Sequence, residues 1–219
     1  LSLLKKRGAP QELTVELLVK KARNRKLIAS GQRGEQAIKG NLVGLAFLAE
    51  LFSDGSLLKR KDGKSVELVI TQVDPALYPI LDQVVPKGAS TLNFIDYTAR
   101  RSVENRELLK AVPAKTVRSR LIMTLADDNV GVLPQSALQS LGTLTTDIKK
   151  LGWDGFSTRY WVPAELDPAV YFLARASWKK DLTAEASFKE LWTSTTKNKA
   201  GADRLWIAWQ RLEQATDLI

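Results

Sequence analysis

The sequence of 219 residues contains no cysteine, no histidine and a single methionine. Without cysteine, the chain can form no disulfide, no thiolate zinc site and no iron–sulfur cluster. Without histidine, it can hold neither a Ser-His-Asp triad nor a histidine-ligated metal, and it has no histidine pH switch. Any enzymatic chemistry would have to use carboxylate, lysine, tyrosine or serine side chains. We therefore expect no cofactor and no metal site.

Long apolar runs are also missing. The longest apolar stretch, Leu42 to Phe52, contains Glu50 and is shorter than the roughly 18–20 residues that a membrane-spanning helix needs. The first residues, Leu1 to Pro10, lack the apolar segment of a signal peptide. The sequence thus predicts a soluble chain without membrane insertion, and it leaves the cellular location unknown.

Positive charge is present in excess, and it is unevenly distributed. The formal net charge is +9, from 33 Lys and Arg against 24 Asp and Glu. Residues 1–64 carry 14 basic and 6 acidic residues, whereas residues 65–219 carry 19 and 18. Nearly all of the excess therefore lies in the first 64 residues, which we predict to be a basic helical region. Residues 65–219 would be a mixed region of strands and helices, with one continuous domain as an alternative division.

Two basic clusters dominate the first region, one in a predicted helix from Gln11 to Ile28 and one in a predicted turn from Leu58 to Ser65. In the helix, the charged side chains surround most of the circumference, so that no wide face could be buried. The turn contains Asp62-Gly63, a hairpin-type signal. A solvated surface is one interpretation, and contact with a polyanion is the other. The candidate polyanion-binding residues are Lys20, Lys21, Arg23, Arg25, Lys26, Lys59, Arg60 and Lys61.

The remaining pattern predicts a helix-rich α+β fold with a few central strands and aromatic C-terminal helices, and an all-α fold is the alternative. Residues 38–52 are apolar nearly all round, which indicates a buried helix. Four segments rich in β-branched and aromatic residues predict strands. These are Ser65 to Val73, Thr91 to Ile95, Arg120 to Leu125 and Gly155 to Trp161.

Helices are predicted between and after these strands. One covers residues 98–112, and another begins at Pro134 and ends at Gly152, a typical C-cap residue. Asp167-Pro168 is interpreted as an N-cap followed by proline at the first helical position, and either Asp181 or Thr183 as the N-cap of a further short helix that ends at Trp192. A polar loop is predicted from Thr193 to Gly201. The final helix would carry Leu205, Ala208, Trp209 and Leu212 on one face.

The aromatic residues are concentrated in the last third of the chain. Eleven of the 16 aromatics, including all six tryptophans, lie between Trp153 and Trp209. Because several of them follow a helical spacing among apolar residues, we expect core or interface packing rather than stacking on nucleobases. The candidate partner-interface residues are Trp178, Trp192, Trp206 and Trp209.

Acidic residues follow several predicted strands. Asp74, Asp96 and the pair Asp127-Asp128 stand just after such segments, where α/β folds collect catalytic groups. Ala174-Arg175 and Trp178 resemble the closing helices of barrel glycosidases, which implies a carboxylate-dependent, glycosidase-like hydrolase. Aspartate after a strand is also a common turn or N-cap residue.

The leading functional prediction is a non-enzymatic binding and assembly protein. Its basic region would contact nucleic acid, as in a nucleoprotein or capsid subunit, or acidic partner proteins, as in a linker subunit of a large complex. The sequence does not separate these two partners. The glycosidase-like hydrolase that uses the strand-end aspartates is the alternative.

Overall fold

The protein is a helix-rich α+β protein, and its computed structural model describes residues 12–16, 33–53, 56–125, 136–159 and 166–216. The chain divides into two compact units. The first comprises the described residues up to Phe94 together with Lys110–Arg120. The second comprises Ile95–Leu109 and the described residues from Leu121 onward. The predicted α+β class is confirmed.

The strands and helices have the following bounds. The strands are β1 (Glu12–Glu16), β2 (Glu67–Thr71), β3 (Ser90–Asn93), β4 (Ser119–Thr124) and β5 (Gly155–Arg159). The α-helices are α1 (Arg33–Leu51), α2 (Leu81–Val84), α3 (Ala99–Glu104), α4 (Glu107–Ala111), α5 (Leu138–Leu151), α6 (Asp167–Ala176), α7 (Ala184–Thr196) and α8 (Lys199–Thr216). Two 3₁₀ segments cover Ser56–Leu58 and Pro75–Ile80.

Neighbouring strands follow the chain order β1-β2-β3-β4-β5. In the first unit, β1 pairs parallel with β2, and β2 pairs parallel with β3. The start of β4 is joined to β3 by the bond from the Thr91 amide to the Arg118 carbonyl, at 2.8 Å. In the second unit, the bond from the Leu125 amide to the Arg159 carbonyl, also 2.8 Å, joins the end of β4 to β5. The four predicted strands are thus confirmed, with shifts of one or two residues where their ends are described.

The fifth strand corrects the sequence interpretation. The predicted helix from Gln11 to Ile28 is wrong over Glu12–Glu16, which form β1. The segment ELTVE pairs in register with ELVIT of β2, from Glu12 opposite Glu67 to Glu16 opposite Thr71. Local helix propensity is a weak preference that such ladder pairing overrides. Residues 17–32 lie outside the described part of the chain.

The helix predicted to be buried over residues 38–52 is α1, and its burial is one-sided. Leu45 and Leu48 are buried, whereas Val43 is 70% exposed and Phe47 is 65% exposed. The expectation that the segment is buried all round is therefore wrong. The buried residues follow the helical spacing of a single face.

The long helix predicted for residues 98–112 is interrupted. α3 begins after Thr98, whose hydroxyl accepts a hydrogen bond from the Arg101 amide. Asn105 ends α3 outside the helical region, at φ −95° and ψ 19°, and its side chain donates to the Arg101 carbonyl. Asparagine competes for backbone groups in this way and favours helix ends. α4 therefore starts as a separate helix.

Capping residues mark some of the helix ends of the second unit. Gly152 ends α5 in the left-handed conformation (φ 80°), as predicted; α5 begins at Leu138, and Pro134, the predicted start, lies outside the described residues. The predicted N-cap Asp167 is instead the first residue of α6, which begins after Leu166 without a side-chain cap. Thr183 caps α7, which continues to Thr196, into the segment predicted to be a loop. Lys197 then adopts φ 56°, and the side chain of Asn198 accepts a bond from the Gly201 amide. The separation of α7 from α8 therefore takes only two residues.

Candidate polyanion-binding surface

The predicted turn between Leu58 and Val66 is an ordered loop in the first unit, and we call it the basic turn (residues 58–66). Lys59 and Ser65 form an antiparallel bridge, and the Val66 amide donates to the Leu58 carbonyl at 2.6 Å. The Arg60 amide donates to the Lys64 carbonyl at 2.8 Å. Gly63 lies at φ 79°, a conformation that favours glycine. These backbone bonds give the four basic side chains a defined scaffold.

One acid organises part of this charge. The Asp62 carboxylate lies 3.5 Å from Arg60 and 3.9 Å from Lys64, and it accepts a bond from the Lys64 amide at 3.2 Å. Lys59 and Lys61 are exposed, and within the described residues neither of them forms an ion pair. The basic turn therefore presents the unpaired ammonium groups of Lys59 and Lys61 next to the ion-paired residues Arg60, Asp62 and Lys64.

Two arginines at the start of β4 extend the positive surface of this unit. The Glu67 carboxylate accepts a bond from the Ser90 hydroxyl at 2.7 Å, and it lies 3.4 Å from Arg118 and 3.5 Å from Arg120. One carboxylate thus faces two guanidinium groups. Glu67 follows Lys64 by three residues, a reach of at most about 10 Å. The sequence interpretation missed this arginine pair, because only the pairing of β2, β3 and β4 brings it to Glu67, which is close in the chain to the basic turn.

Only part of the predicted polyanion-binding set lies within the residues that the structure describes. Lys59 and Lys61 stand on the surface of the basic turn, and Arg60 is half-buried beside Asp62. The five basic residues of the predicted N-terminal helix lie outside the described residues. Their contribution to the surface stays a prediction. These residues are Lys20, Lys21, Arg23, Arg25 and Lys26.

The four candidate interface tryptophans differ in their surroundings. Trp206 is 6% exposed and lies 5.3 Å, between ring centroids, from the buried Phe188. The half-buried Trp192 and Trp209 contact the same phenylalanine at 6.1 and 5.4 Å. Tilted aromatic pairs at such distances stabilise a helical core. Trp178 is 90% exposed, so it is the one of the four that is fully available for an external contact.

The face that α8 buries differs from the apolar face noted in its sequence. Ala202, Trp206 and Glu213 of α8 are buried, whereas Leu205 and Leu212 are 40% and 41% exposed. Trp209 of the noted face is half-buried and contacts Phe188. The buried Glu213 carboxylate accepts bonds from the Gln139 and Ser140 amides at 3.1 and 3.3 Å. These amides lie in the first turn of α5, where backbone donors lack intrahelical partners.

The strand-end aspartates have local structural roles where they are described. Asp74 caps the 3₁₀ segment by accepting a bond from the Ala76 amide at 2.9 Å, and its own amide donates to Asn41. Asp96 accepts a bond from the Tyr97 amide at 2.7 Å. Asp127 and Asp128 lie outside the described ranges. The hydrolase alternative therefore stays a prediction from the sequence.

One titratable group near Asp74 has a shifted pKa. Burial of the Tyr78 side chain, and then the nearby charge of Asp74, raise the pKa of Tyr78 well above its ordinary value. Its hydroxyl donates to the Phe94 carbonyl at 3.0 Å. Because ionisation would remove this donor and place a charge in the core, the tyrosine stays neutral. Its role in the first unit is structural.

Among the described residues, no group of three or more acidic side chains is arranged to hold a metal ion. The described helices include none that is both long and apolar enough to cross a bilayer. Comparison of the chain with protein-family models, with curated proteins and with solved structures finds no significant match.

Proposed function

We propose that this chain is a non-enzymatic binding and assembly protein whose basic region contacts a polyanion. The observation that carries the proposal is the basic turn, in which Lys59 and Lys61 project from a hydrogen-bonded loop without an acidic partner among the described residues. Cations held on an ordered loop attract a polyanion and lose little conformational freedom of the backbone on binding. The polyanion is either nucleic acid or an acidic partner protein.

The surroundings of the basic turn support the same function. The Glu67 carboxylate lies 3.4 Å from Arg118, which is well exposed, and 3.5 Å from Arg120. Arginine is well suited to phosphate and carboxylate recognition, because its planar fork forms two parallel hydrogen bonds. In the second unit, Leu205 and Leu212 of α8 are exposed apolar side chains seven residues apart, on one side of the helix. These residues favour the assembly part of the function, since apolar side chains on a surface are a common element of protein interfaces.

The test is a salt titration of binding with a matched pair of variants. Lys59→Gln/Lys61→Gln removes two exposed charges from the basic turn, and Lys87→Gln/Lys115→Gln removes two exposed charges elsewhere in the same unit. Affinity is measured for a single-stranded oligonucleotide, a duplex and polyglutamate between roughly 50 and 200 mM salt. For the single strand, the first variant should reduce the slope of log K against log salt by about 1.4, because each neutralised phosphate contributes about 0.7.

The probes also separate the two partners. Loss of affinity for the oligonucleotides favours a nucleoprotein or capsid-like role, and loss for polyglutamate favours a linker that joins acidic proteins. The proposal is wrong if the wild type binds none of the three probes at low salt. It is equally wrong if Lys59→Gln/Lys61→Gln and the control variant bind like the wild type.

A further inference from the structure

A second basic surface lies in the second unit, around the exposed Trp178. We define the Trp178 patch as Lys149, Lys150, Trp178, Lys179 and Lys180. The Lys149 ammonium group donates to the main-chain carbonyls of Lys180 at 3.1 Å and of Lys179 at 3.4 Å. This contact joins the end of α5 to the segment after α6, although the two are about thirty residues apart in sequence. The four lysines and Trp178 thereby lie on two adjoining segments of the second unit.

The patch is both open and held in place. All five residues are exposed, and Trp178 is 90% exposed. The Trp178 and Lys179 amides both donate to the Arg175 carbonyl, at 3.0 and 2.8 Å, which continues the last turn of α6. Among the described residues, no carboxylate forms an ion pair with any of the four lysines. The backbone is therefore fixed and the indole ring faces solvent. The four lysines are exposed, although the Lys149 ammonium group is held by the carbonyls of Lys179 and Lys180.

Two grooves border the patch and share Lys149. One has a volume of about 330 Å³, is lined by Trp153, Phe156, Ala176 and the acid Asp154, and extends to Ser177 beside Trp178. The other, of about 670 Å³, is lined by Lys150 and Lys180 together with the acids Asp147, Asp181 and Glu185, of which Glu185 is paired with Lys189. The groove walls thus carry acids as well as lysines, and the four lysines of the patch form no ion pair with them among the described residues. The surface therefore combines cations, an exposed indole and an aromatic-lined groove.

We propose that the Trp178 patch binds single-stranded nucleic acid, with phosphates on the lysines and an unpaired base stacked on the Trp178 ring. This inference rests on the proposed polyanion function for the charge of the ligand, and it adds a second site and a ligand class. Single-strand binding sites combine a positively charged track for the backbone with aromatic side chains on which bases stack. The Trp178 patch contains both features, lysines and an exposed aromatic ring, on two segments that the fold brings together.

The exposed indole distinguishes this ligand from the other polyanions. A duplex keeps its bases stacked inside the helix, so it offers phosphates to the lysines but no free base to the ring. An acidic peptide offers carboxylates to the lysines and no planar partner of comparable size. A cluster of lysines alone would bind all three, whereas Trp178 adds affinity only for an unpaired base.

The experiment uses the full chain with a thymidine oligonucleotide of about 20 residues, the matching duplex and polyglutamate. Trp178→Ala and Trp178→Leu should weaken binding of the single strand by roughly 5- to 150-fold, the factor that one stacked base contributes. Trp178→Phe retains an aromatic face and should stay close to the wild type. The leucine variant separates stacking from apolar contact, because it keeps an apolar side chain without a ring.

Two further measurements test the lysines and the direct contact. Lys179→Gln/Lys180→Gln should reduce the salt slope for the single strand by about 1.4, while Lys87→Gln/Lys115→Gln serves as the equal-charge control. Binding of the oligonucleotide should quench the emission of the exposed indole in the wild type but not in Trp178→Phe. The high exposure of Trp178 predicts that its variants keep the thermal stability of the wild type, so that loss of binding is not loss of fold.

The experiment distinguishes a failure of the Trp178 patch from a failure of the basic turn. If Lys59→Gln/Lys61→Gln weakens binding but the Trp178 variants bind the single strand like the wild type, the inference is wrong and the proposed function stands. Equal losses for the single strand and polyglutamate in Trp178→Ala would assign the patch to an acidic protein, which also overturns the inference. A selective loss for the single strand, restored by phenylalanine, supports it.

Discussion

The buried carboxylate of Glu213 offers a direct test of the helix packing in the second unit. The helix α5 starts after Ala137, which provides no side-chain cap. Its amides at Gln139 and Ser140 instead donate to Glu213, which lies at the other end of the second unit's sequence and is 5% exposed. Glu213 therefore serves as a capping residue supplied by another helix. We expect its removal to destabilise both the start of α5 and the contact with α8.

The magnitude follows from the bonds that are lost. A side-chain cap contributes about 0.5–2 kcal/mol, and a hydrogen bond to a charged group contributes about 1.5–3 kcal/mol. A negative charge at a helix N-terminus adds up to about 2 kcal/mol in partly buried sites. Because these ranges describe overlapping parts of one interaction, Glu213→Ala should cost about 2–3 kcal/mol. Glu213→Gln keeps one oxygen acceptor and loses the charge, so it should cost about 1 kcal/mol.

Tryptophan fluorescence during chemical denaturation is the appropriate assay. All six tryptophans lie between Trp153 and Trp209, within the second unit, so their emission reports on the unit that contains the cap. The midpoint should fall in the order wild type, Glu213→Gln, Glu213→Ala, with little change in the denaturant slope. Gln214→Ala changes the exposed neighbouring position and serves as the control.

The capping argument is refuted if Glu213→Ala and Gln214→Ala unfold within about 0.5 kcal/mol of each other, the range of ordinary surface substitutions. It is also refuted if the glutamine variant is as stable as the wild type, since the shape of the side chain rather than its charge would then hold the start of α5.

Three further predictions concern packing and electrostatics. Phe188→Ala should destabilise the second unit by about 3–5 kcal/mol and Phe188→Leu by less than about 1.5 kcal/mol, measured by the same fluorescence assay, because Phe188 contacts Trp192, Trp206 and Trp209. A loss within about 0.5 kcal/mol for Phe188→Ala would contradict a packed aromatic core. Tyr78→Phe should cost about 1–2 kcal/mol near neutral pH, since it leaves the Phe94 carbonyl without its donor. Because the pKa of Tyr78 is raised in the folded protein, its contribution to stability is fully present below about pH 10 and falls above that pH, where the tyrosine of the unfolded chain ionises first. The Tyr78→Phe variant should therefore lack this fall in stability when it is denatured at alkaline pH. The hydrogen bond from Lys189 lowers the pKa of Asp203, so any stability from the pair is present above the ordinary aspartate pKa of about 4 and is lost as the pH falls through the lowered value. Asp203→Asn should therefore reduce the thermal midpoint slightly at neutral pH and not at strongly acidic pH, and an equal effect at both would exclude an ionic origin.

Local sequence signals predicted the elements whose determinants are close together in the chain. The strands β2, β3 and β4 were predictable because β-branched residues are clustered in short segments bounded by turn residues. Gly152 and Thr183 were predictable as helix ends, because capping depends on one side chain and the adjacent backbone. The basic turn was predictable for the same reason, since Asp62-Gly63 contains its own turn signal.

The differences between sequence and structure concern choices between two locally acceptable arrangements. The segment Glu12–Glu16 is a strand because it pairs with β2, whose partner residues are 55 positions away in the chain. The final helix has two apolar stripes, and contact with Phe188 selects the one with Trp206 rather than the one with Leu205 and Leu212. No periodicity within a single helix contains the information about which stripe meets another helix.

The sequence by itself determined the chemistry that this protein lacks, the helix-rich α+β class and the basic character of the residues up to Lys64. Composition and short-range pattern are sufficient for these properties. Only the tertiary structure placed Arg118 and Arg120 against Glu67 and brought together the two segments that carry Trp178 and the four lysines of its patch. Such surfaces are formed by residues far apart in the chain, because packing of the core fixes which exposed side chains become neighbours.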